Sequence, residues 1–246
     1  AVVFDNPRHM SLQALELPQL QDGQVEVAVQ FSGISTGTER MLWDGSMPDF
    51  SGMYPLVPGY ESVGQVVKAA AGSKLKEGQT VFVPGANCFT GVRSLYGGSA
   101  SRLVVSDQKL VPVADELGSD AVLMALAATA YHAVSGGGQQ EPFTPPDLII
   151  GHGVMGRLLA RLTVAAGFAP PTVWETQAEL FHGSEGYEVV RPQDDSRHDY
   201  HAIYDVSGDA SILDQLIQRI RPGGEVVLAG YYPHSLQFTY ATAFMR

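Results

Sequence analysis

The sequence predicts an α/β fold, with a β-rich domain over 1–115 and a doubly wound parallel-sheet domain over 116–246. Three observations carry that prediction. Short apolar or alternating runs, divided by Gly, Pro, Asp and Asn, fill the first part. Strand and helix signals alternate through the second. Within it, Asp147-Leu148-Ile149-Ile150 runs into Gly151-His152-Gly153-Val154-Met155-Gly156 and then Arg157-Leu158-Leu159-Ala160-Arg161-Leu162, a strand meeting a glycine turn that opens a helix.

In the first part, Ala1-Val2-Val3-Phe4 and residues 24–29, 62–67, 80–83 and 103–105 read as strands, and their spacing predicts a small, partly open barrel. From Asp115 the pattern changes. Val122, Leu123, Leu126, Ala130 and Ala133 recur at helical spacing over 119–134, and Gly136-Gly137-Gly138 ends that helix. Strands at 147–150, 172–175, 187–190, 202–206 and 225–229 then interleave with helices at 157–166 and 211–220. The second helix carries the stripe Ile212, Leu213, Leu216, Ile217 and Ile220, with Asp209 or Ser211 as cap and Pro222-Gly223-Gly224 as stop. The predicted strands of this sheet are one short of the ~six of a complete dinucleotide-binding fold. The chain opens inside a strand without Met and closes without a cap, so segments are expected to be missing from one or both ends.

The glycine turn has a specific use. Its first glycine makes a tight turn, the second lets backbone approach a pyrophosphate, and the third lets helix pack on strand. The helix start then offers free N–H groups and a positive dipole end to phosphates. Gly151, His152, Gly153, Val154, Met155 and Gly156 are therefore the expected cofactor loop. Val173-Trp174-Glu175 follows as the next strand, and Glu175 stands roughly where an acid holds a ribose 2′-OH. An acid there repels a 2′-phosphate, and Thr176-Gln177-Ala178-Glu179 brings no cation to offset it, so NAD is expected over NADP. Ser207 and Gly230 end two further parallel strands and are expected to line the same crevice.

Composition narrows the classes. The chain has 246 residues, 45% of them hydrophobic, and a net charge of −11. That charge argues against nucleic acid, whose phosphates need a basic patch. No uninterrupted apolar run approaches the ~20 residues of a transmembrane helix. The single cysteine, Cys88, rules out an internal disulfide and fits a reducing cytoplasm.

Three further segments carry a resemblance. Val57-Pro58-Gly59-Tyr60-Glu61-Ser62-Val63-Gly64-Gln65-Val66-Val67 resembles the G-H-E-x-x-G-x-V signature of medium-chain dehydrogenases/reductases. Leu75-Lys76-Glu77-Gly78-Gln79-Thr80-Val81 resembles their K-x-G-D-x-V turn, and Ala127-Ala128-Thr129-Ala130-Tyr131-His132-Ala133 their helix entering the cofactor domain. The likeness implies a GroES-like N-terminal domain and a Rossmann domain. More closely, Ser32 to Arg40, Leu42-Trp43-Asp44-Gly45, Tyr54 to Glu61 and Tyr200 to Asp209 resemble the bacteriochlorophyllide a dehydrogenases of photosynthetic bacteria. Members of that family oxidise the 3-(1-hydroxyethyl) group of a chlorin or bacteriochlorin to 3-acetyl with NAD. Their chains are longer, and the tail would carry the last strand.

The sequence departs from the superfamily's zinc-dependent members, which bind metal through Cys, His and Cys. Tyr60 stands at the histidine, Ser35 or Thr36 at the first cysteine, and a residue near Ala125 at the second. A tyrosine, a hydroxyl and an alanine do not make a zinc site, and a zinc-independent enzyme is expected. A side chain must then take the hydroxyl proton. Candidates are Thr36, Thr38, Tyr60, Glu61 and His132. Tyr60 suits the task if a neighbour depresses its pKa from ~10; it can equally fill the space zinc leaves. Glu61 reads as a structural partner of Arg40 or another cation, Thr38 as a proton relay or a turn cap, and His132 as a core or boundary residue.

A flat pigment needs an open aromatic cleft. Trp43, Met47, Phe50, Met53 and Tyr54 cluster between Thr38 and Tyr60, either as that cleft or as plain core. Nothing in the net charge steers towards the pigment's propionate. Two rival functions stay open: a zinc-free quinone or enoyl reductase, and a dinucleotide-binding scaffold without catalysis. The sequence also leaves open whether the chain pairs as a homodimer.

Overall fold

Seven of the most deeply buried residues in the first half are valines: Val3, Val25, Val27, Val57, Val66, Val81 and Val83. β-Branched side chains fit a pleated, half-buried surface, and these recur at the strand spacing of two. The computed structural model describes residues 1–48, 52–135, 144–232 and 234–246. Two compact units, Ala1–Ala125 and Leu126–Arg246, make it up.

The strands of the first unit are β1 (Val2–Asn6), β2 (His9–Leu12), β3 (Gln24–Ser32), β4 (Leu56–Val57), β5 (Ser62–Ala69), β6 (Thr80–Val83), β7 (Arg93–Ser94), β8 (Arg102–Ser106) and β9 (Val111–Pro112). They form a five-stranded sheet, β8-β3-β5-β6-β9, and a four-stranded one, β2-β1-β4-β7. Helix α1 (Thr38–Asp44) lies between β3 and β4 and buries Glu39, Met41 and Leu42. Cys88 lies in the valine core, where burial pushes its thiol pKa up.

The predicted helix over 119–134 is two elements. A 3-10 stretch, Asp115–Leu123, breaks at Gly118 (φ 50°), and α2 (Met124–Val134) follows. Together Asp115–Val134 make 20 residues containing an 18-residue window of mean hydropathy 1.3, long and apolar enough to cross a membrane by length and composition alone. Counting uninterrupted apolar residues passed over this segment because Asp115, Glu116 and Asp120 lie in it. Ala121 packs with Val63 and Phe82 in the first unit, and Ala130 and Val134 pack with Ile149 and Leu159 in the second. The glycines at 136–138 lie outside the described residues.

The second unit holds β10 (Leu148–Ile150), β11 (Thr172–Trp174), β12 (Glu188–Val190), β13 (Tyr200–Asp205) and β14 (Ile220–Leu228), all parallel, in the order β12-β11-β10-β13-β14. The chain builds outward from β10 in one direction and then returns to build from it in the other. The crevice at the β10–β13 junction is therefore the topological switch point where such sheets bind ligands. Alternation along β10 sends Ile149 to one face, against Leu159 and Ala160 of α3 (Val154–Ala165), and Leu148 and Ile150 to the other, against Leu216 of α4 (Leu213–Arg219). Each such burial is worth about 1.5–3 kcal/mol. A last short helix, α5 (Tyr240–Phe244), follows.

Of the boundaries that differ from the sequence reading, two bear on the site. Helix α3 starts at Val154, so Gly156 sits in its first turn. Pro222-Gly223-Gly224 does not end a helix ahead of a later strand: β14 begins at Ile220 and carries the three residues as a bulge. The register moves from Tyr200–Ile220 to Ala202–Glu225, which Gly223 permits with φ 74°.

Candidate active site

The glycine loop is built from backbone. Gly151 turns with φ 97°, beyond the reach of ordinary L-residues, and its N–H donates to the Trp174 carbonyl at 2.8 Å. A Cβ on Gly156 would stand 1.9 Å from the Gly151 carbonyl oxygen, so only glycine lets α3 come this close to β10. Gly153, by contrast, is exposed with open space around it. Helix α3 begins there with no side-chain cap and no acid in its first turn, leaving its N–H groups free for an anion. Ser207 and Gly230 come to the same crevice. A Cβ on Gly151 would lie 3.5 Å from the Ser207 Cα, and one on Gly230 3.3 Å from Val206. Asp205 fixes that end by accepting from the Ser207 N–H at 2.9 Å and its hydroxyl at 2.7 Å.

Glu175 is buried, and its carboxylate accepts three backbone N–H groups: His152 at 2.9 Å, Thr176 at 2.7 Å and Gln177 at 2.8 Å. Burial pushes its pKa up, but the three donors outweigh it and hold the carboxyl below its ordinary range. Of the ~four lone-pair positions of a carboxylate, one is left to accept a hydroxyl.

His152, expected beside the pyrophosphate, turns the other way. Its side chain is fully buried, with Nδ1 2.6 Å from the Leu180 carbonyl and Nε2 2.8 Å from the Tyr187 hydroxyl. The carbonyl can only accept, so Nδ1 carries the proton and Nε2 accepts from Tyr187. Burial lowers the ring's pKa and keeps it neutral. Arg157 donates to the His152 carbonyl at 3.0 Å and to Leu180 at 3.2 Å. The ring clamps the loop to the segment after β11 because an imidazole in a packed interior must satisfy both nitrogens. Sequence reasoning missed Tyr187, Arg157 and Asp205; only Asp205, ending a predicted strand, carried a signal.

In the first unit, Ser35, Thr38, Glu39, Tyr60 and Glu61 come together. Burial raises the Tyr60 pKa, against smaller opposing pulls from hydrogen bonds with Ser35 and Thr38. Tyr60 is therefore a phenol near neutral pH, and the depressed pKa expected of a tyrosine base is not what the structure gives. Glu39, which the sequence reading passed over, is buried and accepts from the Ser35 N–H at 2.7 Å. Glu61 is buried too, and its side chain lies over Gly33, where a Cβ would come 2.2 Å from Oε2. Its Oε1 is buried without a hydrogen-bond partner. Burial first, and then the nearby Glu39 charge, raise its pKa to about 7. The expected pairing with Arg40 is corrected: Arg40 is exposed, and no ion pair reaches Glu61 among the described residues. A long cation could not follow the carboxyl into this interior without losing its own water.

The other candidates scatter. Thr36 is exposed, and His132 is exposed on α2 in the second unit. Met47, Met53 and Tyr54 pack with Phe4, Leu42 and Leu56, and Tyr54 donates to the Leu42 carbonyl, so these three are core. Trp43 is 38% exposed. Phe50 lies outside the described residues.

The Alcohol dehydrogenase GroES-like domain family matches residues 21–115. The 2-desacetyl-2-hydroxyethyl bacteriochlorophyllide A dehydrogenase of Cereibacter sphaeroides is 48% identical over 252 residues, spanning 100% of this chain and 78% of that protein. Its counterpart of the same name in Rhodobacter capsulatus is 48% identical over 247 residues, spanning 100% and 77%. The chain belongs to the bacteriochlorophyllide dehydrogenase family. It is thus an oxidoreductase of the medium-chain dehydrogenase/reductase superfamily. The fold agrees: the 2R,3R-butanediol dehydrogenase of Bacillus subtilis superposes with a TM-score of 0.81 at 21% identity, covering 98% of this chain and 80% of that one.

Two groups that the superfamily binds can be tested against these residues. The open Gly153, the uncapped α3 start and the last free position on Glu175 fit a dinucleotide. Hydroxyls at Ser35 and Tyr60 and a methyl at Ala125 do not fit zinc. Among the described residues no three His, Cys, Asp or Glu side chains form a metal-binding group.

Proposed function

We propose that this chain oxidises the 3-(1-hydroxyethyl) group of a chlorophyllide or bacteriochlorophyllide to 3-acetyl, with NAD as cofactor and without catalytic zinc. Residues 1–115 serve as the substrate domain and 116–246 as the NAD-binding domain. The cytoplasm, which keeps the buried Cys88 reduced, is the proposed location. The observation that carries the reading is the half-buried Tyr60 beside the buried Glu61, a neutral phenol next to a carboxyl whose pKa is about 7.

The reaction removes a hydride from the carbinol carbon and a proton from its oxygen. Bound NAD supplies the hydride acceptor. The proton falls to the protein, and a base works best when its pKa matches the working pH. Glu61 meets that condition, half ionised near pH 7. Tyr60, tethered by Ser35 and Thr38, orients the hydroxyl by hydrogen bonding. Gly151, Gly153, Val154, Met155 and Gly156 hold the pyrophosphate on backbone N–H groups, Glu175 takes a ribose hydroxyl, and Ser207 and Gly230 line the nicotinamide side.

Absorption spectroscopy of a 3-hydroxyethyl pigment with NAD tests this. The red-shifted 3-acetyl product should accumulate and NADH with it. No shift with either NAD or NADP overturns the assignment, and NADPH-driven reduction of a quinone or enone in its place moves the chain to the reductase reading.

A further inference from the structure

A second feature of the first unit lies off the Tyr60–Glu61 pair. A cleft of about 350 Å³ opens between the β6–β7 connection and the turn after β8, lined by Gly85, Asn87, Ser94, Tyr96 and Lys109 among others. Its volume is at the lower end of the roughly 300–1,000 Å³ of small-molecule sites. It suits an edge and a side arm of a large ligand.

Tyr96 is held in this cleft under strain. Its φ is 67°, a left-handed backbone that bulky residues avoid. Glycines make the conformation possible: a Cβ on Gly85 would meet the Tyr96 carbonyl at 2.7 Å, and one on Gly97 the Ala86 carbonyl at 2.0 Å. Leu95 packs into the core with Phe4 and Leu56, while its neighbours Ser94 and Tyr96 line the cleft. The Tyr96 ring is 48% exposed and lies 5.0 Å from the Tyr60 ring at 58°. An exposed aromatic kept in a costly backbone next to Tyr60 is the kind of outlier that clusters at ligand sites.

The polar lining points to an anion. Lys109 is exposed and has no ion pair among the described residues. Its neighbour Asp107 is engaged elsewhere, accepting the Lys74 N–H at 2.6 Å. The Ser94 hydroxyl is buried without a partner. A chain of net charge −11 repels an anionic substrate, so a local cation is the feature able to hold one.

We propose that this cleft anchors the pigment, Tyr96 stacking on the edge of the macrocycle and Lys109 pairing with its ionised propionate. The inference rests on the pigment reading above and names how that substrate is held.

Titration of the full chain with a 3-hydroxyethyl pigment, read by the pigment's absorbance, separates the two. The free acid should bind about fivefold more tightly than its methyl ester, the upper end for an exposed ion pair. Lys109→Gln should bring that ratio to about one, whereas Lys76→Gln, exposed and away from the cleft, should keep it. Tyr96→Asn, which tolerates the left-handed backbone, should weaken acid and ester alike by about fivefold through lost stacking. An equal affinity for acid and ester in the native chain, or a ratio that survives Lys109→Gln, overturns the proposal. The expected ratios without any oxidation of the pigment would uphold the cleft and sink the dehydrogenase reading.

Discussion

Around the glycine loop His152 and Glu175 have their partners; beside Tyr60 the Glu61 carboxyl keeps an oxygen without one. His152 satisfies both ring nitrogens and Glu175 takes three backbone donors. Glu61 keeps an oxygen unpaired in the interior, 4% exposed. The difference follows from what each region must do. A cofactor site gains from a loop that does not move, so its groups are spent on one another and the ligand is left the backbone. A proton-transfer site needs a group whose two states are close in energy, and an unpaired buried carboxyl next to a second acid has that property.

The contrast breaks most violently at Gly156. Gly156→Ala puts a methyl on the Gly151 carbonyl, so helix and strand must separate, costing about 3 kcal/mol or more and with it the cofactor. Gly153→Ala meets nothing and should leave the melting temperature of the cofactor-free protein within a degree or two. Thermal unfolding with and without NAD compares them. Equal loss of stability in both would mean that the loop is not packed as described.

Next in size is Glu61→Gln. Its turnover should fall about 100-fold, and the rise in kcat/KM centred near pH 7 should vanish. Stability should move the other way. The folded pKa lies above the ordinary value of 4.5, so this group's contribution to stability is full below that value and is lost as pH rises to about 7. The variant should therefore gain about 2 kcal/mol at pH 8 and almost nothing at pH 4. Tyr60→Phe should cost about tenfold in turnover with NAD affinity unchanged. An unaltered pH profile in Glu61→Gln removes the carboxyl from the chemistry.

These contrasts were unevenly legible. The glycine loop could be read because its requirements are local: a glycine at a left-handed φ, another at a close approach, a helix start, all within Gly151 to Gly156. That the second unit is a parallel sheet followed from strand–helix alternation; its strand order did not. What stayed hidden were long-range pairings. That Leu180 and Tyr187 receive the His152 ring depends on how the chain returns after β11, and no spacing announces it. The same holds for Glu61, which looks like a salt-bridge partner of Arg40 until the fold buries one and exposes the other. The choice between cleft and core for Met47, Met53 and Tyr54 depended on the same long-range packing, which seats them against Phe4 of β1 and Leu56 of β4.

A smaller effect belongs to Glu175. Glu175→Ala removes the acceptor of three N–H groups, two of them in the turn that follows, and should cost about 1–3 kcal/mol. It should also narrow the preference for NAD over NADP by about tenfold, since the charge that repels a 2′-phosphate is gone. Kinetics with each cofactor at a fixed pigment concentration read the ratio. A preference unchanged by the substitution would assign selectivity to another residue.

The smallest change tests whether the loop's partners matter singly. Tyr187→Phe keeps the ring and removes only the hydroxyl that donates to His152 Nε2, which should cost about 1 kcal/mol at neutral pH. The pH dependence gives it a signature opposite to that of Glu61. The folded pKa of His152 is depressed, so its contribution is present above the ordinary value of 6.5 and is lost as pH falls towards the folded one. His152→Gln should flatten that acid-side slope and leave as it was the opposing loss of stability that Glu61 sets as pH rises to about 7. Unfolding in urea at pH 5, 6.5 and 8 would show it. A slope that survives in His152→Gln would place the acid sensitivity elsewhere and remove the ring from the set of groups that hold the loop.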